Sequence, residues 1–272
     1  MQTWKLTIAY DGRKLCGWQA QAGVRTVQVE LEVALRQLFG GENIVAHGSG
    51  RTDSGVHALG QVVSFRAERP RDPGTLAVAL NSLLPSDISC LQAAHAPAGF
   101  HARFSATGKT YRYLLLESPV RSPFWTGLAT RVRYPIDWSA FDQALADYLG
   151  THDFTAFQGP QTDKKRSPIR TISRSERTLE AGPHGVVHAV TFEGPGFLRY
   201  QLRIMVGTAL EIGFGRRSPT SIRELLALGP DGSRAAAGKT APPDGLYLVE
   251  VRHRQLAPTQ EYPRRGPGRP WI

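Results

Sequence analysis

The residues best suited to chemistry lie in a glycine-rich stretch of the first half of the chain. Residues 48–57 read Gly-Ser-Gly-Arg-Thr-Asp-Ser-Gly-Val-His. If this stretch is extended, Arg51 and Asp53 lie on one side and Thr52 on the other. A guanidinium beside a carboxylate lowers the pKa of the carboxyl group and keeps it ionised. Such a carboxylate can attack as a nucleophile or stabilise an oxocarbenium-like centre at a sugar C1′. The alternative is an ordinary turn, which Asp-Ser-Gly also favours.

A second candidate is an arginine inside an apolar helical pattern. Phe197, Tyr200, Ile204 and Gly207 recur at helical spacing, and Arg203 lies among them. An arginine in so apolar a helix needs an anionic partner. Alternatively, its aliphatic stem carries the charge to the surface. The residue pattern alone leaves both possibilities open.

The elements that would position these residues follow from periodicity and from turn signals. In the first half we predict strands at 3–10, 43–47, 61–67 and 88–94 and helices at 27–38 and 75–84. In the second half we predict strands at 110–117, 169–179, 185–193 and 246–252 and helices at 138–149, 197–212 and 221–228.

This order repeats β-α-β-β-α-β, so the predicted fold class is α+β with two tandem ferredoxin-like halves. We expect a largely antiparallel central sheet to join the halves, with helices on one face and the active-site cleft between them. The predicted domains are residues 1–106, which carry the Asp53 loop, and residues 107–252. A Pro/Arg-rich tail follows at 253–272.

Composition narrows the class of partner. The net charge of +10 favours a polyanion such as nucleic acid, although solubility or a high-temperature source would also account for it. Basic clusters at 163–166 with Arg170, and at Arg216 and Arg217, are either phosphate contacts or solvated charge. Two cysteines without a Cys-x-x-Cys pair provide neither a disulfide framework nor a metal site. Together with the absence of a long apolar run, they lead us to expect a cytoplasmic protein.

Residues 50–57 closely resemble the Gly-Arg-Thr-Asp-x-Gly-Val-His signature of the TruA-type tRNA pseudouridine synthases. The resemblance covers about residues 3–251. Further blocks similar to the family occur in the family's order at residues 9–12, 17–19, 27–28, 60–63, 100–106, 111–113, 152–157 and 245–249.

The resemblance implies that the chain isomerises uridine to pseudouridine in the anticodon stem-loop of tRNA. It implies a homodimer and, since the reaction is an isomerisation, no cofactor. Asp53 is then the essential carboxylate, Tyr111 the active-site tyrosine and Arg203 the partner of the aspartate. Arg51 would enter the RNA where the target base has been flipped out, and Leu246 would contact the substrate.

Two positions of this sequence are not explained by the residue pattern alone. Tyr111 and Tyr113 share one face of a strand, so only the family's register selects Tyr111. Gln201 stands where the family usually has methionine, which puts the local helix packing in doubt. Two other protein classes share parts of this pattern. Tandem RNA-recognition modules would need an aromatic RNP1-like run, and a glycosidase would need a second acid in a similar setting; neither feature is evident.

Overall fold

Buried and half-buried side chains alternate along most of strand β1 (Gln2–Tyr10). The computed structural model describes residues 1–160 and 167–254, and these residues form a mixed α+β structure whose strands pair mostly antiparallel. They divide into two units. The first comprises residues 1–107 with the strand residues from Leu248 onward, and the second comprises Gly108–Tyr247.

The first unit builds a sheet covered by two helices. Its strands are β1, β2 (His47–Gly48), β3 (His57–Ala67) and β4 (Ile88–Ala96). The order is β4-β1-β3, and β2 pairs with β3. The last strand, β11 (Leu246–His253), neighbours β3.

Both helices of this unit begin directly after a capping residue, and α2 begins at Pro73, two residues before the predicted Thr75. Thr26 accepts a hydrogen bond from Val29 N–H at the start of α1 (Val27–Leu38). Asp72 does the same for Thr75 N–H at the start of α2 (Pro73–Leu83), which also has proline at its first position. On β1, the side chains of Trp4, Leu6 and Ile8 are fully buried. So are Leu31 and Leu35 of α1 and Leu80 of α2.

The second unit has its own antiparallel strands. They are β5 (Ala106–Glu117), β9 (Arg174–Gly182) and β10 (Gly185–Gly194), in the order β5-β10-β9. A short strand β6 (Thr130–Val132) pairs parallel to β5. Strands β7 (Gly150–Asp153) and β8 (Ile169–Ile172) form a separate two-stranded sheet.

The helices of the second unit are α3 (Trp138–Ala146), α4 (Gln201–Gly213) and α5 (Ser221–Ala227). Helix α4 is the most buried of the three, since ten of its thirteen residues are buried. The fully buried aromatic side chains of this unit are Tyr113, Phe141, Tyr148, Phe154, Phe157 and Phe192.

Several predicted boundaries were wrong for identifiable reasons. The strand expected at 169–179 is two strands, β8 and β9, interrupted where Ser173 N–H donates to Glu193 O. The helix expected from 197 starts at Gln201, because Tyr200 has a left-handed backbone (φ 60°) that no helix continues. The strand expected at 43–47 is reduced to His47–Gly48, and β6 and β7 were not anticipated.

The predicted α+β class with a mostly antiparallel sheet is confirmed. The ferredoxin-like character of the halves, the cleft and the division at residues 106 and 252 stay predictions. The basic cluster at 163–166 and the tail from 255 onward lie outside the described residues. None of the helices within the described ranges is long and apolar enough to cross a membrane.

Candidate active site

The loop that carries Asp53 is fixed by backbone hydrogen bonds from the preceding loop. Trp18 N–H donates to Thr52 O at 3.1 Å, and Gly55 N–H donates to Leu15 O at 3.3 Å. Within the loop, Val56 N–H donates to Asp53 O at 3.1 Å. The main chain on both sides of the carboxylate is therefore held in place before any substrate arrives.

A buried side-chain contact also holds this loop. Thr52 is buried, and its hydroxyl lies 2.8 Å from the hydroxyl of Tyr10 on β1. Burial raises the pKa of Tyr10 to about 12, so the phenol stays protonated at neutral pH. Arg51 is exposed and Asp53 half-buried, which places their side chains away from the buried Thr52. The alternation is the one expected for an extended segment.

His57 has a structural position at the end of this loop. Its side chain is 2% exposed, and its Nδ1 accepts a hydrogen bond from Gly12 N–H at 3.1 Å. The same atom lies 3.3 Å from Oδ1 of Asp11. These contacts tie the start of β3 to the turn after β1.

Two glycines allow the close approach of the neighbouring turn. A Cβ on Gly12 would lie 2.2 Å from Val56 O, and one on Gly17 would lie 2.6 Å from Thr52 O. Gly17 also has φ +82°, a conformation that side chains rarely adopt. Both glycines fall in the family-like blocks, but only the structure reveals their role as supports of the Asp53 loop.

We predict that Gly17→Ala destabilises the protein and displaces Asp53. The new methyl group must move Thr52 O, and the positive φ adds strain, so the free energy of unfolding should fall by about 3 kcal/mol. The matched control is Gly23→Ala, because Gly23 has φ +75° but nothing within 4 Å of a Cβ. It should lose only about 1 kcal/mol.

Thermal denaturation and turnover of the two glycine variants distinguish loss of stability through backbone strain from displacement of Asp53. Gly17→Ala should lose turnover even where it remains folded, whereas Gly23→Ala should retain it. Equal turnover in both variants would show that the contact with Thr52 O does not position the carboxylate.

Tyr111 and Tyr113 have different surroundings in the second unit. Tyr113 is fully buried; its hydroxyl lies 2.7 Å from Thr130 Oγ1 and donates to Pro242 O at 2.7 Å. Burial raises the pKa of Tyr113 well above its usual value. Tyr111 is 7% exposed, and its ring meets the ring of Phe197 edge-on, with centroids 5.3 Å apart. The contacts of Tyr113 make it a core anchor.

Arg203 is held on α4 by a reciprocal contact with one residue. Its Nε donates to Ala241 O at 2.8 Å, while Ala241 N–H donates to Arg203 O at 3.0 Å. Its guanidinium carbon lies 5.2 Å from the ring centroid of Tyr200, within the range of a cation–π interaction. The half-buried side chain is thus oriented rather than free to follow solvent.

Gln201 bonds to the turn at the start of α4 through its side-chain oxygen. Its side chain is fully buried, and its Oε1 accepts a hydrogen bond from Leu198 N–H at 2.7 Å. The helix continues normally to Gly213. The glutamine therefore closes the turn that leads into the Arg203 helix.

The predicted site residues are distributed over both units. Arg51 and Asp53 belong to the first; Tyr111, Arg203 and Leu246 belong to the second. Leu246 is 6% exposed and begins β11. Among the basic residues considered as phosphate contacts, Arg217 is paired with Glu211 at 3.1 Å. No group of three potential metal ligands occurs in residues 1–160 and 167–254.

Comparison with known proteins gives consistent matches over most of the chain. Residues 6–105 and 144–254 match a family described as tRNA pseudouridine synthase. A tRNA pseudouridine synthase A of Streptococcus equi subsp. equi is 42% identical over 255 residues, which make up 94% of this chain and all of that protein. A tRNA pseudouridine synthase A of Halalkalibacterium halodurans is 44% identical over 241 residues, 89% of each chain.

Proposed function

The chain belongs to the tRNA pseudouridine synthase family and isomerises uridine to pseudouridine in tRNA, and we propose that its targets lie in the anticodon stem-loop. We also propose that Asp53 is the essential catalytic residue. The catalytic role of Asp53 is supported by the hydrogen bonds that hold its loop. Backbone bonds to Thr52 O and Asp53 O and the buried Thr52–Tyr10 pair hold the main chain that carries this carboxylate.

The reaction rearranges bonds within one nucleotide. The bond between C1′ and N1 breaks, a bond between C1′ and C5 forms, the C5 hydrogen leaves as a proton and N1 gains one. A carboxylate can assist by bonding to C1′, by adding to the base or by removing a proton from the sugar. All three roles require Asp53 to be ionised and close to the extruded nucleotide.

The remaining residues have complementary proposed roles. Tyr111 would stack on the displaced uracil and assist proton transfer. Arg203 would compensate the charge of Asp53, Leu246 would contact the base, and Arg51 would occupy the gap that the flipped base leaves. The choice of Tyr111 is supported by the contacts of Tyr113, whose hydroxyl is already bonded to Thr130 and Pro242. The oriented guanidinium of Arg203 supports its role.

The finer architecture forms part of the same proposal. We propose that the two halves are ferredoxin-like, that the catalytic residues meet in a cleft between them, and that the enzyme works in the cytoplasm as a homodimer. A dimer would help a modest cleft to orient a long, rigid substrate. Light scattering at micromolar concentration should give twice the mass of one chain. The mass of a single chain would contradict the dimer.

Mapping the modified positions tests the proposed target. An unmodified tRNA transcript is incubated with the protein, treated with a carbodiimide that marks pseudouridine, and read by reverse transcription. We expect stops confined to the anticodon stem-loop, and none after the same uridines are replaced by cytidine. Stops only in another arm of the tRNA would overturn the proposed target while leaving the reaction intact.

A further inference from the structure

An exposed aromatic cluster lies in the first unit, outside the catalytic machinery proposed above. Phe104 is 77% exposed, although large apolar side chains are normally buried. Its ring lies 4.5 Å from the ring of His101, which in turn lies 4.9 Å from the ring of His47. The guanidinium of Arg103 lies 5.6 Å from the centroid of Phe104. We call these four residues the Phe104 platform.

The backbone beneath the Phe104 platform is firmly held. Ala102 is fully buried; its N–H donates to Ser64 Oγ at 2.9 Å, and its carbonyl lies 2.8 Å from Nε2 of His253. Arg103 N–H donates to Nδ1 of His101 at 3.1 Å. A ring presented by a fixed loop loses little entropy when it binds a partner, which is how binding surfaces gain affinity.

The charge around the platform is positive. Arg103 and Arg66 are both exposed. The pKa of His101 is lowered by burial and by the neighbouring His47, Arg103 and Arg66, which favours its uncharged ring. Aromatic rings flanked by guanidinium groups are the combination that binds single-stranded nucleic acid, because bases stack while cations neutralise phosphate.

We propose that the Phe104 platform stacks on an unpaired nucleotide of the tRNA substrate and positions the RNA over the Asp53 loop. This inference rests on the proposed function in taking tRNA as the ligand. Position supports it, because His47 precedes Asp53 by six residues. Their Cα atoms are therefore at most about 22 Å apart even along a fully extended chain.

Binding measured without catalysis tests the platform. In an Asp53→Asn background, Phe104→Ala should weaken binding of unmodified tRNA roughly tenfold, the effect expected for one stacked base. Phe104→Trp should restore the affinity. The matched control is Phe124→Ala, since Phe124 is 60% exposed and also contacts a histidine, His184, edge-on at 5.1 Å. It should bind as the parent does.

A charge variant adds an independent readout. Arg103→Gln should lower the slope of log Kd against log salt by about one, as expected for one lost phosphate contact. Equal losses in Phe104→Ala and Phe124→Ala, or affinity that tryptophan does not restore, would overturn the platform. Conversion of a dimer into single chains by Phe104→Ala would assign this surface to a second copy of the protein instead. If the wild-type protein bound tRNA normally but did not isomerise uridine, the proposed function would be contradicted while the Phe104 platform would still be supported.

Discussion

Replacing Asp53 by asparagine is expected to reduce the single-turnover rate at least about a thousandfold, as removal of an essential catalytic group does. Asparagine has the same shape but cannot carry the charge or form a bond to carbon. The loop should survive, because its anchors are backbone bonds and the Thr52–Tyr10 pair rather than the carboxylate. Tritium released from C5 of labelled uridine measures the rate; filter binding and thermal denaturation measure what is retained.

A second aspartate of the same unit provides the control. Asp87 accepts two hydrogen bonds of 2.7 Å from the guanidinium of Arg25. Asp87→Asn should therefore lose about 1 kcal/mol of stability while its turnover stays within a few-fold of wild type. If Asp53→Asn lost turnover only in proportion to lost stability, Asp53 would be a turn residue.

Replacing Arg203 by alanine should lower turnover about a hundredfold or more, the cost of removing one preorganised donor beside a reacting charge. The proposed reason is that the Asp53 charge loses its compensation. Arg203→Lys should recover only part of the rate, because an ammonium group does not reproduce the planar fork of a guanidinium. Arg199→Ala is the control, since Arg199 lies 4.8 Å from the same Tyr200 ring and should retain turnover.

A double-mutant cycle tests the pairing itself. If Arg203 acts through Asp53, the rate of Asp53→Asn with Arg203→Ala should be little lower than that of Asp53→Asn alone. Fully additive losses would show that the two residues act independently. Normal turnover and stability of Arg203→Ala would show that the inferred pairing is wrong.

The sequence predicted the features that depend on local pattern. The alternation of Arg51, Thr52 and Asp53 between solvent and core follows from an extended segment. The start of α1 follows from its capping residue, Thr26, whereas α2 begins at Pro73 and not at the predicted Thr75. Where side-chain type decides the backbone, the residues were sufficient to place the element.

Features that depend on distant contacts were not predictable. Nothing in the types of residues 169–179 marks Ser173 as a break, which arises where its N–H meets Glu193 O. Tyr200 carried no local signal for a left-handed backbone. The roles of Gly12 and Gly17 became clear only when their contacts with Val56 O and Thr52 O were known.

A cluster of polar side chains around the buried His188 in the second unit shows the same limit. The ring of His188 stacks on Trp138 at 3.6 Å, and its Nε2 lies 3.1 Å from Glu117. Arg177 contacts the other ring nitrogen at 2.9 Å and forms a salt bridge of 2.6 Å with Asp142. Burial and the adjacent Arg177 lower the pKa of His188. These residues come from distant parts of the chain, so no spacing in the sequence predicted their contacts.

The most direct test of the central claim follows both products of the same reaction. Unmodified tRNA labelled with tritium at C5 of uridine is incubated with the wild-type protein, and pseudouridine in the digested RNA is quantified in parallel. The account predicts one tritium released for each pseudouridine formed, with neither product from Asp53→Asn. Tight tRNA binding by the wild-type protein without tritium release or pseudouridine would contradict it.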